Sequence, residues 1–198
     1  MKNLSHNLSE ALVKNNIISS DRENQCRYGL ELMLSSFLEI LFVIIVSVFV
    51  KNFLQTVLFF AGFIPLRIYA GGYHADTRLR CFLILLMIYA MFTAALYLLP
   101  YVVYQYIIYG AVLFNILVVV LMAPLSHDRK SMNDKERNAF RKIALSVCFF
   151  EAVLTITGSI FLKNNIYMLS FVFGQIAVTV SMVTADIKNK IHERRVAL

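Results

Sequence analysis

Apolar and polar positions alternate in long blocks along this chain. Six apolar stretches run from Leu32 to Val50, Phe53 to Tyr69, Phe82 to Leu99, Val102 to Ala123, Ile143 to Leu162 and Ile166 to Ala185. Each approaches the ~20 residues that carry an α-helix across ~30 Å of hydrocarbon at 1.5 Å per residue. The second is the shortest, and Pro65 and Arg67 interrupt it near its end, so it is expected to tilt, kink or re-enter. The connections at Lys51-Asn52, Pro100-Tyr101 and 163–165 are very short and make their flanking stretches helical hairpins. Residues 1–31 read differently. Leu4, Leu8, Leu12 and Val13 recur at near-helical spacing among Lys2, Glu10 and Lys14, which predicts an amphipathic helix lying on the bilayer or packed beneath the helical domain. The expected organisation is an interfacial segment at 1–31, a transmembrane domain at 32–185 and a basic tail at 186–198.

Composition agrees with that pattern. The chain has 198 residues, 59% of them hydrophobic, and a mean hydropathy of +0.68. Only 16% are charged, against about 25% in soluble domains. The class is all-α, a polytopic membrane bundle of about six helices. The first thirty residues lack a compact apolar core followed by a cleavage site, so insertion is expected to start from the first membrane helix.

Charge orients the bundle. A net charge of +7 would suggest nucleic acid in a soluble protein; here the cations segregate by loop, and no nucleic-acid partner is expected. Alternate sides collect Lys2, Lys14, Arg22 and Arg27, then Arg67, Arg78 and Arg80, then the basic loop 129–142, then Lys188, Lys190, Arg194 and Arg195. Of nineteen lysines and arginines, Lys51 and Lys163 alone fall on the other side. The positive-inside rule then places both termini, the loop around residue 74 and the loop 124–142 in the cytoplasm. Tyr97, Tyr101, Tyr104 and Tyr106 suit an aromatic belt at the outer interface.

Chemistry concentrates in one stretch, Arg67-Ile-Tyr-Ala-Gly71-Gly72-Tyr-His74-Ala-Asp76-Thr77-Arg78-Leu-Arg80-Cys81. It brings together a nucleophile, a base, cations and paired glycines at the edge of an apolar protein. In one continuous helix His74 and Cys81 would lie ~10.5 Å apart, too far for an imidazole–thiol contact. A pair needs a turn between them. Asp76 or Thr77 is a suitable N-cap for a helix beginning near Arg78, which puts Cys81 in the first turn, where the helix dipole favours a thiolate. Gly71 and Gly72 allow positive φ or close approach, and their amides are candidates for an oxyanion hole.

Blander readings apply elsewhere. Cys26 and Cys148 read as small apolar fillers, and His6, His127 and His192 as solvated. The three cysteines are far apart with no CxxC, so neither a disulfide framework nor a zinc knuckle is expected. No metal or cofactor is expected, and neither a phosphate-cradling glycine loop nor HExxH occurs. Glu39 and Glu151 are acids inside apolar stretches, where a carboxylate is costly. One of them would orient His74 or pair with Arg67, or both would serve as hydrogen-bond partners between helices. Glu39 is the candidate orienting acid, and Asp76 either holds the imidazole or caps the helix. The basic loop after Ala123-Pro124 is a topology signal or a docking surface for an acidic peptide segment.

Arg67-x6-His74-x6-Cys81, with Gly-Gly before the histidine and an apolar helix after the cysteine, resembles the AgrB (accessory gene regulator B) family. The resemblance extends to chain length, span pattern and the basic loop opened by Ala123-Pro124. It implies a quorum-sensing cysteine endopeptidase of the bacterial cytoplasmic membrane, its catalytic loop on the cytoplasmic side. Such proteins remove the C-terminal segment of an AgrD-like precursor peptide and close a thiolactone, sometimes lactone, ring. The resemblance implies catalytic roles for His74 and Cys81, and supporting roles for Arg67 and Gly72. It also implies a homodimer, though no heptad or GxxxG motif argues for one. The rival reading is a small transporter or peptide-export protein in which Glu39, Glu151 and Arg67 line a pathway and no proteolysis occurs.

Overall fold

A computed structural model describes residues 2–15, 17–19, 23–72, 78–125, 134–162 and 165–196. Seven helices account for nearly all of them: α1 (Lys2–Lys14), α2 (Glu23–Phe49), α3 (Phe53–Ala70), α4 (Arg78–Leu98), α5 (Tyr104–Met122), α6 (Asp134–Phe161) and α7 (Ile166–Val196). A single 3₁₀ turn, Tyr101–Val103, joins α4 to α5. Six of the helices, α2 to α7, are long and apolar enough to cross a membrane. The protein is a multi-pass, all-α membrane bundle.

The chain forms two compact units, residues 1–50 and 51–198. In the first, α1 packs against α2. Among the described side chains of α1, Ser5 and Ser9, one turn apart, are buried, while Leu8 is exposed. Serine leaves room for close helix approach, and the Ser9 hydroxyl is satisfied by donating to the His6 carbonyl at 2.9 Å. On the solvent side Lys14 donates to Glu10 at 3.0 Å and holds that carboxyl below its usual range. No break falls at residues 31–32, where the polar segment was expected to end. Helix α2 starts at Glu23 and runs through, because nothing between Glu23 and Leu32 stops a helix apart from Gly29, which meets no neighbour.

The second unit is built around the pair α3 and α7. Two glycines set their separation. A Cβ on Gly62 would run into the Phe171 carbonyl, and one on Gly174 into the Phe59 carbonyl, with Phe63 N 2.9 Å away. Backbone thus meets backbone, the close-packed contact by which helices associate in lipid, where no hydrophobic force separates apolar side chain from solvent. Along the pair the contacts pass from Phe59 and Phe63 at Gly174 to Arg67 at Ser181, so α3 and α7 run parallel. Pro65 sits inside α3 without ending it. Of the tilt, kink or re-entry expected there, no re-entrant turn occurs: Phe53–Ala70 is one helix of 18 residues.

Polar links fix the other neighbours. The Asn115 side-chain amide donates to Gln175 Oε1 at 3.0 Å, and the Thr179 hydroxyl donates to Asn115 Oδ1 at 2.7 Å, joining α5 to α7. Ser159 donates to the Tyr109 hydroxyl at 3.5 Å and Arg141 to the Val120 carbonyl at 3.4 Å, which sets α6 antiparallel to α5. Tyr89 of α4 donates to Asn52 Oδ1 at 2.9 Å and lies 3.2 Å from the Thr56 hydroxyl. Beside that link the Phe92 ring packs tilted against Phe59 at 4.8 Å and against Phe173 at 5.9 Å, centroid to centroid. At the end of the bundle that carries Arg67, Leu66, Ala70, Val118, Val119, Ala123, Ala144, Cys148, Val178 and Met182 form a buried cluster from α3, α5, α6 and α7.

The glycine contact is testable by comparison within the chain. Gly110 has no atom within 4 Å of its would-be Cβ. Gly110→Ala should leave the thermal midpoint in detergent unchanged or raise it, by up to about 1 kcal/mol of helix propensity. Gly174→Ala should lower it, since overpacking against backbone costs about 1–3 kcal/mol or more. Equal midpoints for the two variants would contradict the packing described.

Candidate active site

Four segments meet at one end of the second unit: the end of α3, the start of α4, residues 123–125 after α5, and the middle of α7. The helix α3 closes with Gly71, whose amide donates to the Arg67 carbonyl at 3.3 Å. Gly71 and Gly72 both have positive φ, 82° and 132°, which strains any residue with a Cβ. They are glycine for a second reason as well. A Cβ on Gly71 would strike the Leu125 carbonyl, because Leu125 N donates to the Ala70 carbonyl at 3.0 Å in a parallel bridge. A Cβ on Gly72 would strike the Arg67 guanidinium and reach Ser181 Oγ at 2.5 Å. The pair is therefore a seat for neighbouring groups. With the Gly71 amide engaged by Arg67, an oxyanion role would fall to Gly72.

Arg67 is the centre of this arrangement. Its Nη1 donates to the Gly71 carbonyl at 3.0 Å and to Ser181 Oγ at 2.9 Å. Cys81 stands within Coulombic reach of the guanidinium. Helix α4 spans Arg78–Leu98, so Cys81 falls in its first turn, half-buried and not disulfide-bonded. Arg80, its neighbour, is exposed. A guanidinium and a helix N-terminus both favour the thiolate over the thiol. That combination suits a nucleophile.

Other predicted residues fall in the first unit, elsewhere in the second, or outside the described residues. His74 and Asp76 are outside the described residues, as is Thr77. Glu39 is half-buried midway along α2, in the first unit, whereas Arg67 and Cys81 belong to the second. Glu151 does not pair with Arg67: both its carboxylate oxygens are buried without a partner among the described residues. Cys148 is buried in the apolar cluster and Cys26 is half-buried on α2. No group of three or more acidic, histidine or cysteine residues suited to a metal occurs among the described residues.

Two contributors were missed in the sequence. Ser181 is one of many small polar residues on apolar helices, and nothing local marks it. Leu125 acts through its backbone, which no side-chain pattern reveals.

The family model described as Accessory gene regulator B matches residues 5–182. The chain belongs to the AgrB family. A Putative AgrB-like protein of Listeria welshimeri is 29% identical over 188 residues, covering 85% of this chain and 89% of that protein. No solved structure matches the chain. Membership places the protein in the accessory gene regulator quorum-sensing system. The Arg67, Gly71, Gly72, Cys81 and Ser181 positions all lie within the matched residues.

The paired glycines separate packing from chemistry. Gly71→Ala meets backbone that cannot yield, so it should lower the thermal midpoint in detergent by the larger amount, about 2–3 kcal/mol. Gly72→Ala meets side-chain ends, so the fold should survive with a cost nearer 1 kcal/mol. The displaced guanidinium should then slow alkylation of Cys81 at neutral pH by several-fold. Unchanged Cys81 reactivity in a folded Gly72→Ala protein would remove Gly72 from the site.

Proposed function

We propose that this protein is a membrane cysteine endopeptidase that processes an AgrD-like precursor peptide and closes its thiolactone, or lactone, ring. The observation that carries this reading is Cys81 in the first turn of α4 within Coulombic reach of a hydrogen-bonded Arg67, in a chain of the AgrB family. The loop and tail charges support a cytoplasmic catalytic end, where a peptide made in the cytoplasm and lying on the inner leaflet meets it without crossing the bilayer.

In this mechanism His74 takes the Cys81 proton, or holds a thiolate–imidazolium pair. The thiolate attacks the carbonyl at the ring-closing position and the carbonyl pair moves onto oxygen. The C–N bond breaks, His74 returns the proton to the leaving amine, and the C-terminal segment departs. A thioester joins the peptide to Cys81. His74 then takes the proton of the peptide's own thiol, whose sulfur attacks that thioester, expels the Cys81 thiolate and closes the ring. One thioester replaces another, so the acyl group keeps the reactivity that hydrolysis would destroy. A site at the membrane edge, poor in water, favours that partition.

Co-expression with a tagged AgrD-like peptide tests the reading by gel and mass spectrometry. Wild type should release the C-terminal segment, and Cys81→Ala should release none. His74→Ala should process about 10²–10⁴-fold more slowly, the range for losing a general base. Undiminished cleavage by Cys81→Ala would sink the thiol mechanism. Transport of the intact peptide by wild type and Cys81→Ala alike would favour export without proteolysis.

A further inference from the structure

We propose that Ser181 is a positioning residue that sets the reactivity of Cys81 by anchoring the Arg67 guanidinium. The proposal rests on the thiol-peptidase reading and extends its site to α7, which contributes none of the residues in the Arg67–Cys81 stretch.

The anchor is specified from both sides. Ser181 donates its hydroxyl proton to the Val178 carbonyl at 2.8 Å, one helical turn back. With the proton so committed, the oxygen faces outward as an acceptor, and Arg67 Nη1 donates to it at 2.9 Å. The second Nη1 proton goes to the Gly71 carbonyl at 3.0 Å. Nη1 is thereby spent on two fixed acceptors from different helices, and the guanidinium acts on Cys81 from this held position. Val178 and Met182, which flank Ser181, are fully buried, so α7 supplies a rigid base. Gly72 also lies against the guanidinium, since a Cβ there would overlap it. A long arginine left untethered would lose much of its hold, because fixing such a side chain costs about 2 kcal/mol of rotamer entropy.

Charges on α4, α6 and α7 must be separated from this effect. On the packed elements they are Arg80 on α4, Arg141 and Lys142 on α6, and Asp186, Lys188 and Lys190 on α7. Glu151 and Cys148 on α6 also titrate. Asp186 is engaged by Lys190 at 2.7 Å, and Arg141 by the Val120 carbonyl. None of these is altered by a change confined to the Ser181 hydroxyl.

The test compares Ser181→Thr with Ser181→Val in the full-length protein in native membranes. The two side chains have nearly the same shape, and threonine alone keeps the acceptor. Iodoacetamide labelling of Cys81, read by peptide mass spectrometry from about pH 5.5 to 9.5, gives the thiolate profile directly. Cys148 in the same digests reports the fold, because it is buried in the core. Ser181→Thr should follow wild type. In Ser181→Val the Cys81 profile should move up by about 0.5–1 pH unit, a three- to tenfold loss of labelling rate at neutral pH, with Cys148 still protected. Superimposed Thr and Val profiles, shifted or not, would overturn the proposal, since shape alone would then explain the result. Labelling needs no peptide substrate. A cleaving Cys81→Ala protein would therefore sink the peptidase reading without touching this comparison, and the converse also holds.

Discussion

An arginine placed inside an apolar bundle has to be hydrogen-bonded, and the geometry of this protein at its polar end follows from that requirement. Leaving a buried charge without partners costs several kcal/mol, so the helix carrying Arg67 must end where acceptors are available. The solution is local and distant at once. The Gly71 carbonyl, four residues on, curls back over the guanidinium, and Ser181 on α7 meets it from across the helix pair. Ser181 comes within reach only because α3 lies close to α7 along its length, and that closeness comes from Gly62 and Gly174. A side chain at either would move the serine away from the arginine. The contact in the middle of the bundle and the chemistry at its end are one constraint.

The same logic explains why residues far apart in the chain share the site. Once α3 must end in two glycines of positive φ, the space above Gly71 has no Cβ in it, and backbone fills it. Leu125 supplies that backbone and so ties the exit of α5, and with it the start of the basic loop, to the end of α3. The loop that the sequence marks by charge and the motif that it marks by chemistry are thus joined through a main-chain bridge.

Much of this was legible in advance, and the divide is physical. Apolar block lengths report the crossing helices well because lipid imposes a length and forbids unsatisfied backbone. Arg67, Gly71, Gly72 and Cys81 stood out because charged, reactive and conformationally special residues are rare in such blocks. Ser181 did not, because a serine on a membrane helix usually satisfies its own backbone, as Ser47 does with the Ile44 carbonyl at 2.6 Å and Ser170 with Ile166 at 2.7 Å. Ser181 makes the same local bond and one more, and only three-dimensional placement shows the second. Gly62 and Gly174 were illegible for a related reason: the spacing that joins them is across helices, and no pattern within one helix reports it. The extent of α2 went unread because polar residues before Leu32 carry no helix-stopping chemistry.

The placement of the nucleophile relative to the core carries the functional argument furthest. In its most apolar window 61% of α7 is buried, against 17% of α4. Cys81 therefore rides on one of the least enclosed helices, while the cation that attends it is fixed to the most enclosed. The far half of α4 is held by Tyr89 on Asn52 and by Phe92 between Phe59 and Phe173. On the peptidase reading, a thiol on so little-buried a helix is reachable by a peptide lying along the bilayer surface, with no opening of the core. On that reading a cation anchored in the core keeps its place when the peptide arrives, so the charge that favours the thiolate would be there before the substrate and cost no reorganisation at the moment of attack.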